Sequence, residues 1–237
     1  MVSVLKAGAR GQMRANAPRI FITAIIFVAI TTIMSELRYR LPGTADAYGR
    51  YLDQLAAGKY QNLNTIFSYL RPTGLPFYVL LWLAAPIINA GFLSYTLKIS
   101  REQGAEYKDL MNGFLYFGKI VAIHVVTSAL VFLWSLLFIF PGIAAHYRYR
   151  QAVYILFDDP RKGVFQCIGE SRKLMRRNKT DLFILDMSFL GWFIADIAVA
   201  YFLPVPVNLP VISIFLMPYL CLTRAAYYNR LISDIST

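Results

Sequence analysis

From Phe114 to Phe140 the chain carries a single formal charge, Lys119. As a helix at about 1.5 Å per residue this run is about 40 Å long, more than the roughly 30 Å of a bilayer's hydrocarbon core. Backbone in lipid must satisfy its own N–H and C=O groups, and a helix does so within one segment. The run therefore predicts a membrane helix that tilts or projects into the cytoplasm, with Lys119 at the inner interface. It continues past Pro141-Gly142 into a second apolar stretch, and four other regions are apolar on a similar scale. Composition agrees, because 57% of the residues are hydrophobic and only 16% charged, against about 25% charged in soluble domains.

The expected architecture is all-α: a single integral membrane domain over residues 1–237, with about six transmembrane helices and a cytoplasmic amphipathic interfacial helix. The spans read as about 17–37, 76–99, 114–140, 142–157, 180–203 and 209–228. Pro76 suits the first turn of its helix, Pro86 predicts a kink, and Pro141-Gly142 is read as the turn between the third and fourth spans. A polar outer loop covers 38–75. Within it, Tyr48, Tyr51, Leu52, Leu55 and Ala56 recur at helical spacing, so one or two short helices are expected between Tyr48 and Phe67. Val205-Pro206-Val207-Asn208 is read as an outer turn. On this path 16 Lys and Arg fall inside, five lie in the outer loop, and Lys119, Arg148 and Arg150 lie at or within membrane depth. The positive-inside rule then places both ends in the cytoplasm. Lys6, Arg10, Arg14 and Arg19 precede the first apolar run in the outline of a secretory signal. No small-x-small site closes that run, however, and Glu36-Leu37-Arg38-Tyr39-Arg40 follows it, so a retained span is expected.

The net charge of +11 gathers beside the spans rather than among exposed aromatics, which speaks against nucleic acid. Its densest part is a helix over 160–178, with Asp159 as N-cap and Pro160 in the first turn. At about 100° per residue, Val164, Cys167, Ile168, Ser171, Leu174 and Met175 share one arc. Arg161, Lys162, Arg172, Lys173, Arg176 and Arg177 fill most of the other side, with Lys179 just beyond. Such a helix is expected to lie in the headgroup plane with its cations on anionic lipid, each worth about 1 kcal/mol before saturation.

The fourth span is apolar except for HYRYRQ. His146, Arg150 and Tyr154 share a face at four-residue spacing, and Arg148 points roughly the opposite way. Arginine in the membrane is costly unless paired or hydrated. The antiparallel fifth span offers Asp186 near the depth of Arg150, and Asp196 toward that of Arg148 or His146. An Arg150/Asp186 contact and an Arg148/Asp196 contact are expected. This network either fixes helix packing or lines a polar cavity for an ion, proton or headgroup. His124, Thr127 and Ser128 form a second polar face in the third span, more often a hydrogen-bonded interior than a proton path. Asp158, Asp159 and Asp181 are read as helix caps.

Several classes are disfavoured. No Gly-rich phosphate loop, HExxH or GxSxG occurs, and Cys167 and Cys221 lack metal-ligand spacing. Asn178-Lys179-Thr180 fits a glycosylation pattern but falls on the inside. Gly91-Phe92-Leu93 and Gly113-Phe114-Leu115 hint only faintly at duplication. No catalytic residue, metal or cofactor is expected.

The blocks FPGIAAHYRYRQAVYILFDDP, ESRKLMRRNKTDLFILDMSFLGW and MPYLCLTRAAYYNRL, in that order, resemble a bacterial family of integral membrane proteins, domain of unknown function 975 (DUF975). The resemblance reaches weakly back to Gly91 and so covers about 91–231. It implies a multi-pass protein of the bacterial inner membrane and supplies no activity. Two departures stand out: Arg177 replaces the family's usual glycine, and an acid common near Asn229 is missing. The expected function is non-enzymatic, with anionic lipids as partners and transport or lipid handling as the role; the alternative is a membrane scaffold or assembly partner. A protein partner or a second copy is left open.

Overall fold

A computed structural model describes residues 1–40, 57, 75–202 and 211–236. Every regular element among them is helical: α1 (Val2–Ala15), α2 (Arg19–Arg40), α3 (Leu75–Ser100), a 3-10 turn (Tyr107–Met111), α4 (Asn112–Leu115), α5 (Phe117–Leu137), α6 (Ile139–Tyr149), α7 (Ala152–Asp158), α8 (Val164–Leu174), α9 (Lys179–Met187), α10 (Leu190–Phe202) and α11 (Val211–Ser236). Four stretches are long and apolar enough to cross a membrane: Arg19–Leu37, Val79–Ser100, Phe117–Leu137 and Lys179–Val199. The outer loop with its expected short helices, apart from Ala57 and the helix ends, and the Val205–Asn208 turn fall outside the described residues.

The chain divides into two units, Met1–Val28 with Pro86–Thr237, and Ala29–Ala85. In the smaller unit Ile30, Ile33, Phe77, Leu80 and Trp82 are exposed, as lipid-facing side chains of spanning helices would be.

The larger unit holds two apolar cores. One gathers Ala9, Ile20, Ala24, Phe27, Phe92, Tyr95, Ile99 and Leu222 from α1, α2, α3 and α11, with Phe27 stacked on Phe92 at 4.3 Å. The other runs from α3 through α11 and includes Ile120, Tyr154, Leu156, Met175, Leu185, Phe189 and Tyr228. α1 is an element the sequence reading did not place. Ala9 is buried and Val2, Leu5 and Met13 pack on the two cores, a helical stripe that lays α1 along α11.

Two glycines bring α3 and α4 together. A Cβ on Gly91 would strike the Leu110 carbonyl, and one on Gly113 the Ile87 carbonyl. The two Gly-Phe-Leu triplets are thus facing sides of one close contact.

The breaks differ from those expected. Pro141 sits in the first turn of α6, and the α5–α6 reversal is made by Phe138 alone, extended at φ −163° and ψ 156°. Gly142 lets the arms close, since a Cβ there would strike Ser135. The segment expected as a fourth span is two helices parted at Arg150-Gln151, that expected as the fifth is two parted at Ser188-Phe189, and the last helix continues to Ser236.

The basic helix is shorter than expected. Its N-cap is Gly163, whose N–H donates to Gln166 Oε1 at 2.9 Å. Lys119 Nζ draws the Pro160 and Lys162 carbonyls to itself, at 2.5 and 3.1 Å, and Asp159 Oδ1 accepts from Arg161 N at 3.1 Å. Residues 160–163 therefore form a turn, and Arg176 and Arg177 lie past the helix end.

Candidate functional site

The polar interior begins where α6 breaks. Without a continuing helix the Arg148 carbonyl and Gln151 N–H need other partners, and Ser171 on α8 serves both. Its hydroxyl donates to Arg148 O at 2.9 Å and accepts from Gln151 N at 3.2 Å. The apolar arc of α8 is spent on this docking: Cys167, Ile168, Ser171, Leu174 and Met175 are buried against the protein's own helices. The helix expected to rest its apolar face on lipid rests it on α5, α6 and α7.

Beyond the break, Arg150 Nη1 lies 3.1 Å from Asp186 Oδ2. A third residue completes the cluster, with Arg224 Nε of α11 donating to Asp186 Oδ1 at 2.9 Å. Asp186 is buried, so one carboxylate joins two guanidinium groups and the cluster keeps a net positive charge. His146 Nε2 lies 3.1 Å from Arg150 Nη1. Tyr154 is buried and stacks on Tyr228 at 4.9 Å, and its hydroxyl has no hydrogen-bond partner among the described residues.

Arg148 and Asp196 do not meet. Asp196 is ten residues beyond Asp186, about 15 Å along a helix, whereas Arg148 is only about 3 Å along its helix from Arg150. Asp196 accepts from Ile212 N at 3.1 Å and from the Ser213 hydroxyl at 2.5 Å, tying α10 to α11. The Arg148 guanidinium lies over the Trp134 ring at 5.8 Å, as a cation–π pair.

Arg148 also lines a groove of about 480 Å³ with Gly169, Arg172, Lys173, Arg176 and Lys179. Among the described residues none of these five cations has a carboxylate partner. The nearest acid on α8, Glu170, is held by Lys162 at 2.7 Å, and that hydrogen bond raises the lysine above its ordinary value. Arg161 pairs with Asp159 at 3.3 Å, and Arg177 is exposed. Of the seven cations expected to face headgroups, four therefore converge on one groove, joined by an arginine expected elsewhere.

Two further clusters were not legible as such. Asp158 is no cap: both its oxygens accept from Arg101, at 2.6 and 3.1 Å, and Oδ2 accepts from the Tyr228 hydroxyl at 2.6 Å. This pairing lifts Arg101 above its ordinary value. Arg101 Nε donates to Asn229 Oδ1 at 2.8 Å, so the asparagine near which the resemblance expects an acid still supplies an acceptor. Lys6, counted among the cations preceding the first span, donates to Ser188 O at 3.0 Å and lies 4.0 Å over the Phe189 ring, closing the α9–α10 break. Thr127 donates back to Ile123 O at 2.7 Å, within its own helix.

Among the described residues no group of three or more His, Cys, Asp or Glu could hold a metal ion. No curated protein and no solved structure matches the chain. Residues 139–234, which carry Arg148, the whole of α8 and the Arg150–Asp186–Arg224 cluster, match the family model described as "Protein of unknown function (DUF975)", so over that stretch the chain is similar to this family.

Proposed function

We propose that the protein is a non-enzymatic component of the bacterial inner membrane, with both termini cytoplasmic, that binds anionic lipid along α8 and acts in transport or lipid handling. The observation that carries this is the groove: five cations without a carboxylate partner among the described residues, from three helices and the turn after α8. A solvated surface helix disperses its charges and mixes their signs. Here four cations converge at the end of a helix whose apolar face is already committed, which favours a ligand that brings its own negative charge.

The test is lipid retention. The protein in nanodiscs of phosphatidylcholine with a minor fraction of phosphatidylglycerol should enrich the anionic lipid around itself. Replacing Arg172, Lys173 and Arg176 by Gln should weaken that enrichment by roughly two orders of magnitude, at about 1 kcal/mol per cation. Equal enrichment by the variant and the unaltered protein would refute the reading.

A scaffold role is favoured by a different observation. Both oxygens of Asp186 and both of Asp196 are occupied by protein donors, as charges that only fix packing would be. Under that reading the groove variant keeps every partner the unaltered protein has.

A further inference from the structure

We infer that the α5–α6 hairpin does not cross the membrane, but enters a single leaflet from the cytoplasmic side as a wedge whose partner is that leaflet's acyl-chain layer. The hairpin divides sharply along its length. The buried residues of α5, Ile120 and Ile123, belong to its first half, whereas every residue from Phe132 to Phe140 is exposed. The reversal is apolar throughout: Phe138, Ile139 and Phe140 are 74%, 76% and 84% exposed. In a crossing hairpin these three would stand at the outer surface, where a turn meets water. In a wedge they meet hydrocarbon.

The register sets the depth. Tyr116, 22 residues before Phe138, meets Phe157, 19 residues after it, at 6.4 Å between ring centroids, so the two arms run level to within about one helical turn. Arg148 is ten residues from the tip, about 15 Å along the helix, which is half of a hydrocarbon core of about 30 Å. Ser171 fixes α8 at that level through Arg148 O and Gln151 N, and the groove lies there. If the tip reached the outer surface, the groove's exposed cations would be held near the middle of the bilayer. If the tip stops inside, the same cations lie at the headgroups and the apolar part of the hairpin matches one leaflet. Trp134 and Arg148 lean toward each other, as side chains tilt toward the N-terminus of their own helix, and close the wedge at its base.

Irregular backbone facing lipid is costly, and this turn exposes little of it. Only Phe138 separates the helices, its N–H donates to Trp134 O at 3.4 Å, and its carbonyl accepts from Gly142 N at 3.3 Å. The hairpin returns to its own side in either case, so both termini still share a face.

The inference uses the reading of the groove as a headgroup site only to fix the depth, and its test does not depend on lipid charge. In a Cys167→Ala, Cys221→Ala background, single cysteines at Phe140, at Gln103 as an inner control and at Ala57 as an outer control are exposed to an impermeant maleimide from each side. Phe140→Cys is expected to stay unlabelled from both sides and to react after detergent is added. Labelling from either side overturns the wedge. Independently, a variant keeping only Trp134 (Trp82→Phe, Trp192→Phe) is expected to be quenched by brominated lipid confined to the cytoplasmic leaflet; quenching by the outer leaflet alone overturns it. If the tip stays shielded in neutral phosphatidylcholine while the preference for phosphatidylglycerol is absent, the groove reading falls and the wedge stands.

Discussion

Replacing Asp186 by Asn should cost more than any other single change in the interior. The carboxylate takes Arg224 Nε at 2.9 Å and Arg150 Nη1 at 3.1 Å, and both arginine side chains are mostly buried, at 25% and 20% exposed. Unit charges about 4 Å apart attract by about 4 kcal/mol at an effective dielectric of 20, but much of that offsets desolvation. Removing the one partner that two buried cations share leaves both uncompensated, and losses of about 3–5 kcal/mol follow from breaking such a site. Arg224→Met or Arg150→Met should cost less, because the remaining arginine still neutralises Asp186. Reversible unfolding in mixed micelles, followed by helical signal against the fraction of denaturing detergent, measures both. An Asp186→Asn protein within about 1 kcal/mol of the unaltered one, or an equally damaging Arg224→Met, would show that Asp186 is not the shared partner of two buried cations. Exchanging Arg150 and Asp186 should not restore stability, since the new arginine at 186 would face Arg224. Adding Arg224→Asp to the exchange inverts the whole cluster and should recover most of the loss.

Gly91→Ala and Gly113→Ala each push a methyl group onto a backbone carbonyl of the facing segment and should each destabilise by about 1–3 kcal/mol or more; the same unfolding assay reads it, and Gly169→Ala, which meets nothing within 4 Å, is the control. At the C-terminal end of α3, burial works against the Asp109 carboxylate, but Lys98 at 2.6 Å and the Glu106 N–H at 2.8 Å outweigh it and hold Asp109 below its ordinary value. A depressed carboxylate stabilises fully above its unfolded value of about 3.9 and loses that contribution as pH falls through the folded one. Unfolding measured between pH 6 and pH 2 should therefore be less acid-sensitive in Asp109→Asn.

Class and helical content were legible because apolar run length and cation placement are properties of the chain itself. The meeting of Arg150 with Asp186 was also legible, since two antiparallel helices of known rise bring particular residues level. The same arithmetic separates Arg148 from Asp196 once Asp186 is used as the reference. Arg224 and Lys6 were hidden because cations beside an apolar run look alike, whether they mark sidedness or reach inward. The breaks at Arg150-Gln151 and Ser188-Phe189 carry no proline or glycine. They are held by Ser171 and Lys6, the latter 182 residues from its acceptor, so no local signal announces them. The apolar arc on α8 was expected to rest on lipid and is instead covered by protein, because periodicity marks an apolar face without distinguishing what covers it.

The place of α1 bears on how the molecule is made. Its stripe lies along α11, Lys6 reaches Ser188, and Gln12 donates to the Ser100 carbonyl at 3.3 Å. Residues 2–15 leave the ribosome long before residues 188–236, so a finished α2 must wait in the bilayer with an unpartnered amphipathic helix beside it. Docking of α1 then becomes a late event in biogenesis, and one that reports whether the last helices have been inserted.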